Sequence, residues 1–129
     1  MTMLARHNPQ DAYRRVDFDA RVTGCDPMEL VSLCYEHLIG ALGSALFAHE
    51  RGDITTKSKA LTRAISAITA LQLGVNGTEG VAAALHQFYQ AARSAMLDSV
   101  LNFNPEQIAR VRADFVDIAS AMTAGAQRN

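Results

Sequence analysis

The side chains best suited to chemistry are four histidines, His7, His37, His49 and His86, and two cysteines, Cys25 and Cys34. A zinc site needs such residues clustered at ligand spacing, and none of the histidines stands so relative to either cysteine. A di-iron carboxylate site in a helical bundle asks for Glu-x-x-His pairs, but Glu36, Glu50 and Glu79 have no histidine three residues on. Phosphotransfer bundles use an exposed histidine followed by lysine and glycine. His37-Leu38-Ile39-Gly40 lacks the lysine and misplaces the glycine. There is no glycine-rich phosphate loop, and no serine or cysteine nucleophile with a paired base. These patterns point away from an enzyme and from any metal or cofactor. Each histidine reads as a surface or helix-end residue.

The elements that carry these residues are helices with explicit punctuation. Asp26-Pro27-Met28-Glu29 starts the first: Asp26 can cap, Pro27 suits the first turn, and Glu29 stands at the box position. It runs to about Arg51 and stops at Gly52. Leu30, Val31, Cys34, Tyr35, Leu38, Ile39, Ala41, Leu42, Ala45 and Leu46 fill about half its circumference. Leu33 and Phe47 lie off that arc, on the polar side. Asp53 caps a second helix that ends near Leu73, with Ile54, Leu61, Ala64, Ile65, Ile68 and Leu71 as its stripe. Its other face is rich in serine and threonine, which a solvated surface explains. Thr78 is the expected cap of a third helix, where Val81, Leu85, Phe88, Ala92, Ala95, Met96 and Val100 face one way. Asn104-Pro105 opens the fourth, whose seam is Ile108, Val111, Phe115, Ile118 and Met122, with Gly125 as its stop.

Helices of about 20 residues are each near 30 Å long, and short connections force neighbours antiparallel. The expected fold is all-α, an antiparallel up-down four-helix bundle over residues 26–125. Residues 1–25 form an N-terminal arm. Within it, Asn8 to Arg15 allow a short helical turn. Val16, Phe18, Ala20 and Val22 then alternate with charged residues at strand period. With no sheet to join, that stretch reads as an extended strap packed on the bundle.

The 129 residues are 49% hydrophobic and 19% charged, the size and make-up of one globular domain. Twelve Lys and Arg against thirteen Asp and Glu leave a net charge of −1, which supplies no basic footprint for nucleic acid or an anionic membrane. No apolar run approaches the roughly 20 residues that span a bilayer, so membrane insertion is not expected. The N-terminus is too polar for a signal peptide, so the expected location is cytoplasmic, with both cysteines reduced.

The order of features resembles a known family. Ala12-Tyr13, Val22-Thr23-Gly24-Cys25-Asp26-Pro27-Met28-Glu29-Leu30 and Leu33-Cys34-Tyr35-Glu36 are similar to the opening of the flagellin export chaperones, the FliS family. Gly52-Asp53-Ile54 with Lys57, and Leu85 with Phe88-Tyr89, resemble its second and third helices. Cys34 stands where leucine is usual, and Glu36-His37 where Asp-Gly is usual. The resemblance spans residues 12–118 in order and spacing. It implies a cytoplasmic chaperone that holds the disordered C-terminal segment of flagellin, prevents premature polymerisation and supports type III flagellar secretion. The flagellar export apparatus or a co-chaperone would be a further partner.

A bundle that receives such a segment must expose apolar grooves. The expected partner-binding residues are the off-stripe Leu33, Phe47, Leu73 and Leu97, with Tyr35 of the signature and Tyr13, Val16, Phe18 and Val22 of the arm. The alternative is an unrelated helical adaptor, or a weak homodimer that uses the same surfaces on itself. Deleting residues 1–16 touches none of the helical stripes. It is expected to preserve helicity by circular dichroism while raising hydrophobic-dye binding and self-association. Loss of most helicity would show instead that the arm belongs to the core.

Overall fold

The computed structural model describes the backbone of residues 26–127 and the side chains of residues 26–125. The arm with Tyr13, Val16, Phe18 and Val22 lies outside the described residues. Four helices follow one another: α1 (Pro27–Glu50), α2 (Ile54–Leu73), α3 (Val81–Leu101) and α4 (Pro105–Gln127). The chain divides into two compact units, residues 1–33 and 34–129. In the first unit, Asp26 Oδ1 accepts from the Glu29 backbone N–H at 2.8 Å and so caps the start of α1. The bundle belongs to the second unit.

Two further starts are capped by the residues that the sequence marks. Asp53 accepts from the Thr56 backbone N–H at 3.1 Å and from its hydroxyl at 2.7 Å. Those bonds, the hydroxyl's first, hold the Asp53 carboxyl below its ordinary range. Asn104 Oδ1 accepts from the Gln107 N–H at 3.1 Å. The third start differs from expectation: Gly80, not Thr78, precedes α3, with no side-chain cap. Gly80 has φ +62°, a left-handed conformation that costs other residues energy, so the turn rather than a hydroxyl sets where the helix begins. His86 steadies this connection, its Nε2 meeting the Gly77 carbonyl at 3.1 Å. At the other end, α4 continues through Gly125 to Gln127 instead of stopping there.

Cross-helix contacts establish the up-down order. Gln72 bonds Gln90, and Arg93 Nε donates to Thr69 Oγ1, so α2 and α3 run antiparallel. Tyr35, Ile39 and His49 of α1 meet Phe115, Arg112 and Phe103 in turn. The numbering falls on one chain as it rises on the other, so α1 and α4 are also antiparallel. Arg112 crosses this seam and donates from Nε to the Ile39 carbonyl at 3.1 Å. Gly43 leaves room for it: a Cβ there would sit 3.2 Å from that nitrogen.

The core is built on α1, where Cys34, Tyr35, Leu38, Ala41, Leu42, Ala45 and Ala48 are buried. Leu38 and Leu42 are fully enclosed, and each such side chain contributes about 1.5–3 kcal/mol over an exposed one. An 18-residue window of α1 has mean hydropathy 1.5, and by length and composition alone the helix could cross a membrane. In the fold 39% of that window is buried.

At the middle of the bundle Tyr35, Tyr89 and Phe115 form an aromatic cluster joining α1, α3 and α4. Tyr35 lies edge-on to Phe115 at 5.3 Å between centroids, while Tyr89 and Phe115 stack at 6.1 Å. The two tyrosine hydroxyls meet at 2.7 Å. Burial raises both phenol pKa values, and for Tyr35 the bond to Tyr89 adds to the rise. Among the described residues no buried side-chain nitrogen or oxygen lacks a partner.

Tyr35→Phe strands the Tyr89 hydroxyl and should cost about 1–3 kcal/mol in urea unfolding, whereas Tyr35→Phe with Tyr89→Phe should be close to neutral. Alkaline titration gives a second test. A phenol whose folded pKa is raised contributes stability that is complete below its unfolded value. Stability should therefore fall as pH climbs above about 10, and the double variant should lose that dependence.

Candidate functional site

The third helix carries two apolar arcs. Tyr89, Ala92, Ala95, Met96 and Ser99 point inward. Ser99 earns its buried place by accepting from the Asn104 backbone N–H at 3.3 Å, which ties the end of α3 to the start of α4. Leu97, Val100 and Leu101 consequently face out, 42%, 56% and 97% exposed. Val100 and Leu101 stand three and four residues after Leu97, the spacing of neighbours on one helical face. Beside them is a recess of mixed, largely polar lining, in which Leu97, Leu101, Phe103 and Pro105 alternate with Asp98, Asn102, Asn104 and Gln107. A second groove runs between α3 and α4, floored by Phe88, Ala92, Ala95 and Val111 and rimmed by Arg110 and Asp114.

This arrangement suits an apolar face of a partner segment better than a small molecule, because both recesses are open and shallow. Helix-in-groove recognition uses such i, i+3, i+4 anchors on one side and an apolar trough on the other. Among the described residues no group of three or more His, Cys, Asp or Glu side chains is gathered as a metal would require.

The residues singled out from sequence are dispersed by the fold. Leu33 and Tyr35 are buried, at 4% and 2% exposure, so neither lines an open groove. Leu33 was placed on the polar side of its helix; the buried arc of α1 is wide enough to include it. Phe47 is exposed near the end of α1, with the Arg51 guanidinium 5.4 Å above its ring. Leu73 is exposed at the last position of α2. The packing of Ala45 with Ala60 and Leu61 places the end of α1 beside the start of α2. Leu73 therefore lies at the far end of the bundle from Phe47. Leu97 is exposed in its own neighbourhood, the stripe on α3.

Sequence reasoning missed Val100 and Leu101. Val100 was assigned to the core stripe, and Leu101 was not singled out. Ile54 and Val81 were likewise assigned to stripes and are exposed in the first turns of their helices. The signal for the outer stripe was present in the spacing of Leu97, Val100 and Leu101. The stripe read from the sequence holds Ala92, Ala95 and Met96, which are buried, but leaves out the buried Tyr89 and Ser99.

Comparison with known proteins matches residues 9–127 to the family model described as flagellar protein FliS. The flagellar secretion chaperone FliS of Salmonella typhimurium is 27% identical over 113 residues, covering 85% of this chain and 84% of that protein. The family match takes in all four helices, the outer stripe of α3 and the buried tyrosine pair. With nearly its whole length so matched, the chain belongs to the FliS family of flagellar proteins.

Proposed function

We propose that this chain is a cytoplasmic secretion chaperone that holds the disordered C-terminal segment of flagellin before export, and is itself no enzyme. The observation that carries the reading is the family match across residues 9–127, joined by a relative named a flagellar secretion chaperone. The surface chemistry supports it. A segment that folds on binding brings amphipathic faces and needs exposed apolar anchors to offset its ordering cost. Leu97, Val100 and Leu101 supply these beside the recess at Phe103, and Phe47 and Leu73 offer separate contacts at the two ends of the bundle. A long segment wrapping the bundle can reach all of them, where a compact partner would not. The arm residues Tyr13, Val16, Phe18 and Val22 belong to the same reading as further contacts to the flagellin segment, and export apparatus or a co-chaperone would meet the loaded complex.

Calorimetry with the C-terminal segment of the host's flagellin should give a one-to-one complex with a large negative heat-capacity change and a gain in helicity. Absence of binding at tens of micromolar, on the order of −6 kcal/mol, would overturn the chaperone reading. Leu101→Asp should weaken that complex by at least tenfold, about 1.4 kcal/mol, with little change in thermal midpoint, since that side chain is 97% exposed. Unchanged affinity would remove the α3 stripe from the interface.

A further inference from the structure

The seam between α1 and α4 carries a guanidinium whose hydrogen bonding is only partly used. Arg112 is half-buried there, and its Nε donates to the Ile39 carbonyl at 3.1 Å. That oxygen is a neutral helix carbonyl, so the bond fixes the group without answering its charge. Among the described residues Arg112 has no carboxylate partner. The remaining N–H groups, on the two terminal nitrogens, form a fixed planar fork. Gly43 lets this fork lie close against α1: an added Cβ would stand 3.2 Å from Nε and 3.6 Å from Nη2.

Apolar surface flanks the fork in both directions. Toward the end of α4 runs a trough lined by Ile39, Val116, Ala119 and Thr123. Val116 stands one turn on from Arg112, so the trough begins at the guanidinium. In the other direction Phe47 stands one turn beyond Gly43 on the same face of α1, and its ring is exposed. The Arg51 guanidinium, 5.4 Å over that ring, adds a second positive charge at this end. A segment lying along the seam therefore meets an apolar trough, then a cation, then an aromatic ring.

We propose that Arg112 is a specificity-determining residue for the cargo, receiving an Asp or Glu side chain of the flagellin segment between two apolar contacts. The inference rests on the chaperone reading and names the chemistry of one subsite within it. A guanidinium already held at Nε loses little further freedom when cargo arrives. Its terminal N–H groups match the two oxygens of a carboxylate, and such charge-assisted bonds are about twice as strong as neutral ones. The apolar flanks keep water from the pair, which is then screened less than an exposed one. A purely apolar segment would displace that water and leave the guanidinium unanswered, which costs affinity. The subsite thus discriminates between segments as well as attracting one.

A double-mutant cycle read by calorimetry tests this. One probe is the C-terminal segment of the host's flagellin, and the other is the same segment with Asn and Gln in place of every Asp and Glu. Each is titrated into the unaltered chain and into Arg112→Gln, which keeps an amide donor for the Ile39 carbonyl but carries no charge. The acidic segment should bind the unaltered chain roughly tenfold more tightly than Arg112→Gln, as expected for a bond to a charged group. The neutralised segment should bind both alike, and the difference for the acidic one should shrink as salt is raised. Circular dichroism establishes that the variant is folded. Should it not be, Gly43→Ala takes its place: alanine suits a helix better than glycine, and its Cβ displaces the guanidinium while leaving the charge. That variant should weaken binding of the acidic segment and leave the neutralised one unchanged. Equal losses with both segments, or none with either, would overturn this inference alone. Failure of the acidic segment to bind the unaltered chain would overturn the chaperone reading and this inference with it.

Discussion

Two phenol hydroxyls in an apolar interior must find partners, and in this bundle they find each other. The bond between Tyr35 and Tyr89 spans α1 and α3, and the ring of Phe115 from α4 lies against both. It is an angular constraint as much as an attraction. Leaving either hydroxyl bare costs more than the bond itself contributes, so rotations of α3 that separate the two are disfavoured. With Tyr89 turned inward, helical period carries Ala92, Met96 and Ser99 inward and sends Leu97, Val100 and Leu101 to the surface. The exposed apolar stripe is thus a consequence of the polar atoms at the centre.

Much of the remaining core is alanine. Ala41, Ala45, Ala48, Ala60, Ala64, Ala67, Ala92 and Ala95 are all buried. Small side chains at helix contacts allow close approach of the axes, and they use little of the chain's apolar volume. Large hydrophobic residues are then left for the outside. On α4 the imbalance is plainest: among its described side chains only Ile108 and Phe115 are buried, and the rest of its seam is half open. A helix so lightly embedded on one side leaves the shallow groove with α3.

That economy suits the proposed role of holding an unfolded segment. The partner contributes apolar surface of its own, and a receiving bundle that had buried all its large side chains would have nothing to offer it. The three capped starts at Asp26, Asp53 and Asn104, with the crossing bond from Arg112 to Ile39, show how a thin core is kept in register by polar contacts at the ends and seams of helices.

By itself the sequence determined the local structure and the family resemblance. Four helices, their lengths and three of their four N-terminal caps follow from Asp-Pro, Asp, Asn-Pro and glycine punctuation, because capping and chain reversal are interactions within a few residues. The inner seam of α4 and most of the buried arc of α1 also follow, since each has a dominant apolar period. Tertiary structure decided what depends on neighbours. It chose between the two apolar arcs of α3, enclosed Leu33 and Tyr35, exposed Ile54, Val81 and Val100, and set Gly80 in place of Thr78 at the third start. It also joined His49, Lys57 and Phe103 from three stretches of chain. Period tells which residues share a face. Only the helices packed around it decide whether that face meets protein or water.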